Sequence, residues 1–234
     1  MNILLLGRGK TGSLVAEAAR RRGHSVQVVG AAENAACEAL TADKLNGIDV
    51  VIDFTAPSCV VGHMEACVAA GKNMVVGTTG WHQELDRIRQ LVESHGTGFV
   101  YGANFSVGVN LFFDVARAAA AALRHEYSGQ IFERHQAQKK DAPSGTALVI
   151  QRVISEASGK NEGEALEITS FREGDVVGMH EVVLDSAADR IYLCHDAKSR
   201  QGFADGAVRA AASTPRSIWP GRRPIPACRG CTRC

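Results

Sequence analysis

One short stretch holds a histidine, two adjacent lysines and a proline-marked helix start: Glu133-Arg134-His135-Gln136-Ala137-Gln138-Lys139-Lys140-Asp141-Ala142-Pro143-Ser144-Gly145-Thr146-Ala147. An imidazole exchanges protons near neutral pH, and an ammonium group attracts an anion. A helix N-terminus adds backbone N–H groups at the positive end of its dipole. Ser144 is a natural N-cap for a helix from Gly145 to about Ala157, closed by Gly159. His135 and Lys139 lie just upstream, where they could face the same spot as the N–H groups of Gly145 and Thr146. The chemistry implied is capture of a carboxylate or phosphate beside a proton donor. The alternative is a solvated basic loop before a capped helix.

A second set of residues lies at the start of the chain. Gly7-Arg8-Gly9-Lys10-Thr11-Gly12 falls between an apolar strand, Asn2–Leu6, and a helical stretch, Ser13–Arg22. In that context the Gly-x-Gly-x-x-Gly spacing has a mechanism. The first glycine makes the tight turn, the second lets a pyrophosphate approach the backbone, and the third lets helix and strand pack closely. Such a dinucleotide site wants an acid near the end of the second strand. Glu33, in Gly30-Ala31-Ala32-Glu33-Asn34, follows Ser25–Val29 and fills that place or is a solvated loop carboxylate. No Arg or Lys follows it closely, which favours NADH over NADPH, while Arg8 in the glycine loop keeps NADPH open. Two later loops, Gly77-Thr78-Thr79-Gly80 and Gly102-Ala103-Asn104-Phe105, fall beyond strand ends. There the threonine hydroxyls and the Asn104 amide could fix the ribose or carboxamide, or be ordinary turn chemistry.

The elements that must position these residues alternate. Strands are expected at Asn2–Leu6, Ser25–Val29, Asp49–Phe54, Asn73–Val76 and Gly98–Tyr101, with helices at Ser13–Arg22, about Val60–Ala70 and His82–Ser94. Short apolar strands alternating with helices imply parallel βαβ units with helices on both sheet faces. A long Ala-rich helix over Ser106–Leu123 leads into a β-rich second half, with strands at Gln130–His135, Leu166–Phe171, Val176–Leu184 and Arg190–His195. His180 and His195 lie in or beside these strands and read as structural. Ser199–Ala212 resumes as a helix. The fold class is therefore α/β, a Rossmann-like parallel-sheet domain followed by an α+β substrate domain. The expected boundaries are 1–105 for the nucleotide domain and 106–200 for the substrate domain. Residues 201–234 return to the first domain, with an atypical tail from about 212.

Composition excludes other classes. Hydrophobic residues make up 45% and charged residues 22% of the 234 residues, and the net charge is +1. Neither a nucleic-acid partner nor a membrane surface is called for by that balance. No apolar run approaches the ~20 residues of a transmembrane helix. The opening Met1-Asn2-Ile3-Leu4-Leu5-Leu6-Gly7 has no basic lead and reads as a buried strand, not a signal peptide. Of seven cysteines, Cys37, Cys59, Cys67 and Cys194 are scattered and read as reduced thiols in a cytoplasmic protein.

Taken together these motifs resemble the dihydrodipicolinate reductase (4-hydroxy-tetrahydrodipicolinate reductase) family of lysine and diaminopimelate biosynthesis, over residues 1 to about 211. The resemblance rests on Gly7–Gly12, Asp53-Phe54-Thr55, Gly77–Gly80, Asn104-Phe105-Ser106-Val107-Gly108 and above all Lys139 with Asp141-Ala142-Pro143-Ser144-Gly145-Thr146-Ala147. Arg172-x-Gly174, Gly178-x-His180 and Ser199-Arg200 also fit. The resemblance implies that a nicotinamide hydride reduces a cyclic dicarboxylate. It assigns His135 and Lys139 as proton donors and Gly145 and Thr146 as the carboxylate cradle. It also implies a mixed open sheet that joins a homotetramer, and no metal. A different Rossmann dehydrogenase of amino-acid metabolism is the second reading, and a nucleotide-binding protein without turnover the third.

Two positions depart from the family pattern. Gln136 stands where the family has a second histidine, so the substrate loses one possible cation while keeping a hydrogen-bond donor. After Ala211 the chain runs into a segment rich in proline and arginine that ends Cys228-x-x-Cys231-x-x-Cys234. That composition has no helical or strand period and suggests disorder, and a shifted reading frame would produce it. The cysteine spacing is that of a metal site but lacks a local fourth ligand.

Overall fold

The structure is a computed structural model that describes residues 1–34, 37–159 and 165–213. The cysteine-bearing tail lies outside the described residues, save for Ala212 and Ser213 at the end of the last helix. In order the elements are β1 (Asn2–Leu6), α1 (Lys10–Arg21), β2 (Ser25–Val29), α2 (Ala42–Leu45), β3 (Val50–Asp53), α3 (Pro57–Ala69) and β4 (Asn73–Val76). Then come α4 (Leu85–His95), β5 (Phe99–Tyr101), α5 (Val107–Ala119), β6 (Ser128–His135), α6 (Gly145–Ser158), β7 (Glu167–Arg172), β8 (Met179–Asp185), β9 (Arg190–Asp196) and α7 (Gln201–Ser213). The chain divides into two units, residues 1–107 together with the segment from 201 onward, and residues 108–200.

In the first unit β1 to β5 form one sheet in the order β2-β1-β3-β4-β5, every pair parallel. Alternate residues of a strand point to opposite faces. Ile3, Leu5, Val50 and Ile52 therefore share one core with Val15 and Ala18 of α1 and Ala207 and Val208 of α7. Leu4, Leu6, Val51 and Met74 share the other with Val60 and Met64 of α3 and Ile88 of α4. Burial on both faces is why the central strands β1, β3 and β4 are mostly apolar, while β2 at the sheet edge keeps Ser25 and Gln27 exposed. Each fully buried aliphatic side chain contributes about 1.5–3 kcal/mol. The C-terminal ends of β1, β3 and β4 are brought level by the pairs Leu6↔Asp53 and Asp53↔Val76, so the loops that follow them open at one edge.

The second unit is a mixed sheet in the order β7-β6-β8-β9, with β6 and β7 parallel and the other pairs antiparallel. Ile131, Val182 and Leu184 pack under α5 and α6, against Val109, Phe112, Phe113, Ile150, Val153 and Ile154. The other face carries exposed Phe171 and Tyr192. The expected elements are present, and their limits move for local reasons. Helix α1 starts at Lys10 and takes Gly12 into its first turn, where only glycine fits, since a side chain would collide with the Gly7 carbonyl. The helix expected over Ser106–Leu123 tightens to a 3-10 turn from Ala120. The one expected at His82 opens with a 3-10 turn and is α-helical only from Leu85. The strand expected from Val176 starts at Met179, since the Val177 carbonyl and Gly178 pack against the His135 ring instead.

Candidate active site

The glycine loop of the first unit is shaped as its spacing requires. Gly7 has φ +105°, a left-handed conformation that favours glycine, and a side chain there would strike the Phe54 carbonyl. Gly9 instead faces open space, with nothing within 4 Å of where a side chain would start. That opening lies at the N-terminus of α1, where no side chain caps the helix and no acid occupies the first turn. The cavity there is about 270 Å³ and is bounded by Gly9–Gly12, Phe54–Thr55, Pro57 and Gly77–Thr79. Uncapped N–H groups, the positive helix end and a glycine whose missing side chain leaves the backbone bare fit a pyrophosphate. Lys10 and Thr11 lie in the same wall.

Glu33 stands just past β2, its Oε2 accepting from the Gly30 N–H at 2.6 Å and its Oε1 from Arg8 at 3.0 Å. The Gly30 N–H, helped by Arg8 and opposed by slight burial, holds this carboxyl below its usual range. Arg8 also donates to the Val28 carbonyl, which fixes it beside Glu33. The two later loops are arranged differently from expectation. The Thr78 hydroxyl donates inward to Asp53, and Asn104 Oδ1 accepts from the Ser106 N–H. Phe105 is 2% exposed and packs edge-on against Phe54. A polar group of the cofactor would thus meet these loops mainly through backbone at Gly77, Gly102 and Ala103 and through exposed Thr79.

The second unit's polar cluster follows from strand register. Ile131, Glu133 and His135 alternate onto the helix-covered face of β6, and the register sets Glu133 against Ser170 and His180, and His135 against Arg172. The apolar face therefore ends in a nest of charge. Glu133 is wholly buried. Its Oε1 accepts from Arg172 at 2.6 Å, Ser170 Oγ at 2.7 Å and the Ser144 N–H at 3.0 Å. Burial pushes its pKa up, but the surrounding His135, Ser144, Arg172 and Ser170 together outweigh it and hold the carboxylate well below its ordinary value. His135 Nε2 lies 3.3 Å from Glu133 Oε2, and its Nδ1 lies 3.4 Å from the Val177 carbonyl. A side chain at Gly178 would press on the His135 ring at 2.9 Å, so glycine there admits the imidazole. Burial, with His135 nearby, pushes His180 down to about 3, so it is neutral. Its Nε2 lies 3.2 Å from Ser144 Oγ.

Ser144 is the N-cap of α6, its Oγ accepting from the Ala147 N–H. Gly145 is exposed at the start of that helix, with Thr146 behind it. Lys139 Nζ lies 2.7 and 2.9 Å from the two oxygens of Asp141, and the Asp141 carbonyl accepts from Arg172. Gln136 is half-buried between His135 and the lysine turn, its carbonyl accepting from the Lys139 N–H. The expected residues His135, Gln136, Lys139, Gly145 and Thr146 therefore belong to one unit, on the end of β6, the following turn and the start of α6. Glu133 and Arg172 stand in the quoted motifs, but their pairing, and the contact of His180 with Ser144, are not expected from the sequence. The period-two alternation on β6 was the available signal for Glu133. Glu133, His135 and His180 also bring three metal-capable atoms within 4.8 Å of one another. The guanidinium of Arg172 on Glu133 already balances that carboxylate, which is the chemistry of an ion-paired acid and not of an anionic metal cage.

Fold and site together define a two-unit protein, a Rossmann-type dinucleotide-binding unit and a mixed-sheet unit whose strand β6 ends at a cluster of charged and polar side chains. The chain belongs to the dihydrodipicolinate reductase family, an oxidoreductase family: its N-terminal part matches residues 1–105 and its C-terminal part residues 108–219. A relative named 4-hydroxy-tetrahydrodipicolinate reductase from Christiangramia forsetii is 37% identical over 90% of this chain and 91% of its own. Another of that name from Chromobacterium violaceum is 41% identical over 71% of this chain and 68% of its own. Among solved structures, a dipicolinate-bound dihydrodipicolinate reductase from Paenisporosarcina sp. TG-14 has the same fold. Its TM-score is 0.71 at 24% identity, covering 92% of this chain and 94% of that one.

Proposed function

We propose that this protein reduces the dihydrodipicolinate formed from 4-hydroxy-tetrahydrodipicolinate to tetrahydrodipicolinate, using a nicotinamide dinucleotide. The observation that carries the reading is the joining of His135, the Lys139 turn and the capped start of α6 at one end of β6. The dicarboxylate is held by the N-terminal turn of α6 at Gly145 and Thr146, with Gln136 as an uncharged donor. The reduced nicotinamide, when bound, supplies the hydride. His135 and Lys139 act as proton donors, and Lys139 also balances the substrate's negative charge. Asp141 holds Lys139 in the absence of substrate, and Arg172 anchors that turn through the Asp141 carbonyl.

The cofactor contacts are Gly7, Arg8, Gly9, Lys10, Thr11, Gly12, Glu33, Gly77, Thr78, Thr79, Gly102, Ala103, Asn104 and Phe105, with Thr78, Asn104 and Phe105 acting through backbone or shape. NADH is the preferred cofactor, because Glu33 offers a carboxylate to a ribose hydroxyl. NADPH would need Arg8 to leave Glu33 for the added phosphate. The enzyme is a cytoplasmic homotetramer in this reading, and the exposed sheet face with Phe171 and Tyr192 is a surface on which copies would associate. The test is oxidation of NADH, and separately of NADPH, when the product of dihydrodipicolinate synthase is added. Oxidation with NADH faster than with NADPH is expected. Cofactor binding without oxidation would support a nucleotide-binding protein without turnover.

A further inference from the structure

Asp53 ends β3, is 0% exposed, and has no part in the chemistry above. A buried carboxylate is costly unless its oxygens are filled, and both of these are. Oδ1 accepts from the Thr55 N–H at 3.0 Å, Thr55 Oγ1 at 2.7 Å and Thr78 Oγ1 at 2.7 Å. Oδ2 faces His63 Nδ1 at 2.7 Å. His63 lies on α3 and is 2% exposed, and its Nε2 faces the Asn34 side-chain nitrogen at 2.9 Å. The Asn34 oxygen accepts from the Ala39 N–H at 2.9 Å, which fixes the amide with its nitrogen toward the ring. The network therefore assigns the tautomer: Nε2 accepts from Asn34, and Nδ1–H donates to Asp53.

The ends of this chain of bonds are the two ends of the dinucleotide cradle. Asn34 directly follows Glu33, whose carboxylate stands past β2. Thr55 and Thr78 border the cavity that Gly9–Gly12 open, and Thr78 is also bonded by the Thr55 N–H at 2.8 Å. One carboxylate thus ties together the loops after β2, β3 and β4. We infer that Asp53, His63 and Asn34 are a positioning relay that holds the ribose-side acid and the threonine loops in register, and so sets affinity for the nicotinamide dinucleotide. The inference rests on the proposed reading that this unit binds such a cofactor. The polar atoms of the relay are bonded within the cofactor unit, so it acts on binding and not on the chemical step.

The experiment measures NADH binding by fluorescence for wild type, His63→Ala, His63→Asn and Asn34→Ala, with kcat and substrate KM alongside. His63→Ala should weaken NADH binding about tenfold or more, while kcat at saturating cofactor and the substrate KM stay within about twofold. His63→Asn, whose amide nitrogen can replace Nδ1 toward Asp53, should recover part of that loss. Asn34→Ala cuts the ribose-side link, together with the bond from the Ala39 N–H, and leaves the Asp53–His63 pair in place. It should weaken NADH but not reduced nicotinamide mononucleotide, which lacks the adenosine half, and it serves if His63→Ala fails to fold. Folded variants that bind NADH like wild type would overturn the relay alone. A kcat loss with unchanged NADH binding would overturn it too. Wild type that binds no NADH would overturn the cofactor reading beneath it.

Discussion

Glu133 joins strand β6, strand β7 and the start of α6 through a single oxygen, so its removal should be felt in the stability of the whole second unit. Glu133→Ala strips acceptors from Arg172, Ser170 and the Ser144 N–H at once. Arg172 has a side chain only 16% exposed and would be left with its charge poorly compensated. Breaking one side of a buried ion pair costs about 3–5 kcal/mol. Glu133→Gln keeps an acceptor oxygen and the shape but removes the charge, so about 1.5–3 kcal/mol is expected, the worth of a charged hydrogen bond. Urea unfolding at neutral pH measures both, with an unchanged slope required for the comparison. A loss below about 0.5 kcal/mol in Glu133→Gln, within ordinary surface scatter, would refute the hub. So would a Glu133→Ala no worse than Glu133→Gln.

The glycine loop separates binding from folding: Gly9→Ala, which meets open space, should keep wild-type stability and lose NADH affinity. Gly12→Ala strikes the Gly7 carbonyl and should lower the unfolding midpoint as well, by about 1–3 kcal/mol of overpacking. Gln136→His restores a cationic donor beside His135 and should lower the substrate KM with little change in kcat; steady-state kinetics that leave KM unchanged would count against a substrate contact there. The acid limb of stability should be steep. His180 takes up a proton near 6.5 when unfolded but only near 3 when folded, so its share of stability is complete above 6.5 and falls as pH drops. From about pH 7 to about pH 5 it alone should remove about 2 kcal/mol. Glu133, depressed in the folded state, contributes stability above its unfolded value and loses it at still lower pH, with the same sign. Unfolding midpoints across that range test the sum, and His180→Gln should flatten the upper part of the slope.

The alternation of strands and helices was legible because a strand buried on both faces is a nearly continuous apolar run, as Val50–Ile52 and Met74–Val76 are. The glycine loop was legible because Gly7 and Gly12 leave no room for a side chain, while Gly9 keeps the backbone bare on the cavity side. Ser144 and Gly159 marked the limits of α6, the one by its hydroxyl and the other by φ +76°. What stayed hidden depends on register. Ser170 and Arg172 lie 37 and 39 residues beyond Glu133, and only the parallel pairing of β6 with β7 brings them to it. The Asp53–His63–Asn34 chain was hidden for the same reason, since it runs from a strand end to the next helix and back to an earlier loop. Thr78 and Asn104 were expected to face a ligand, yet their side-chain oxygens turn inward to Asp53 and the Ser106 N–H. Composition cannot tell an inward hydroxyl from an outward one.

The central claim is that the cofactor-binding unit and the His135–Lys139 site belong to one reduction. The most direct measurement follows loss of reduced-nicotinamide absorbance after dihydrodipicolinate synthase product is added, for wild type and for His135→Gln and Lys139→Met. Rapid oxidation by wild type, with kcat cut by about 10²-fold or more in each variant while NADH binding is unchanged, is the predicted result. Wild type that binds NADH but never oxidises it, or variants that turn over like wild type, would contradict the claim.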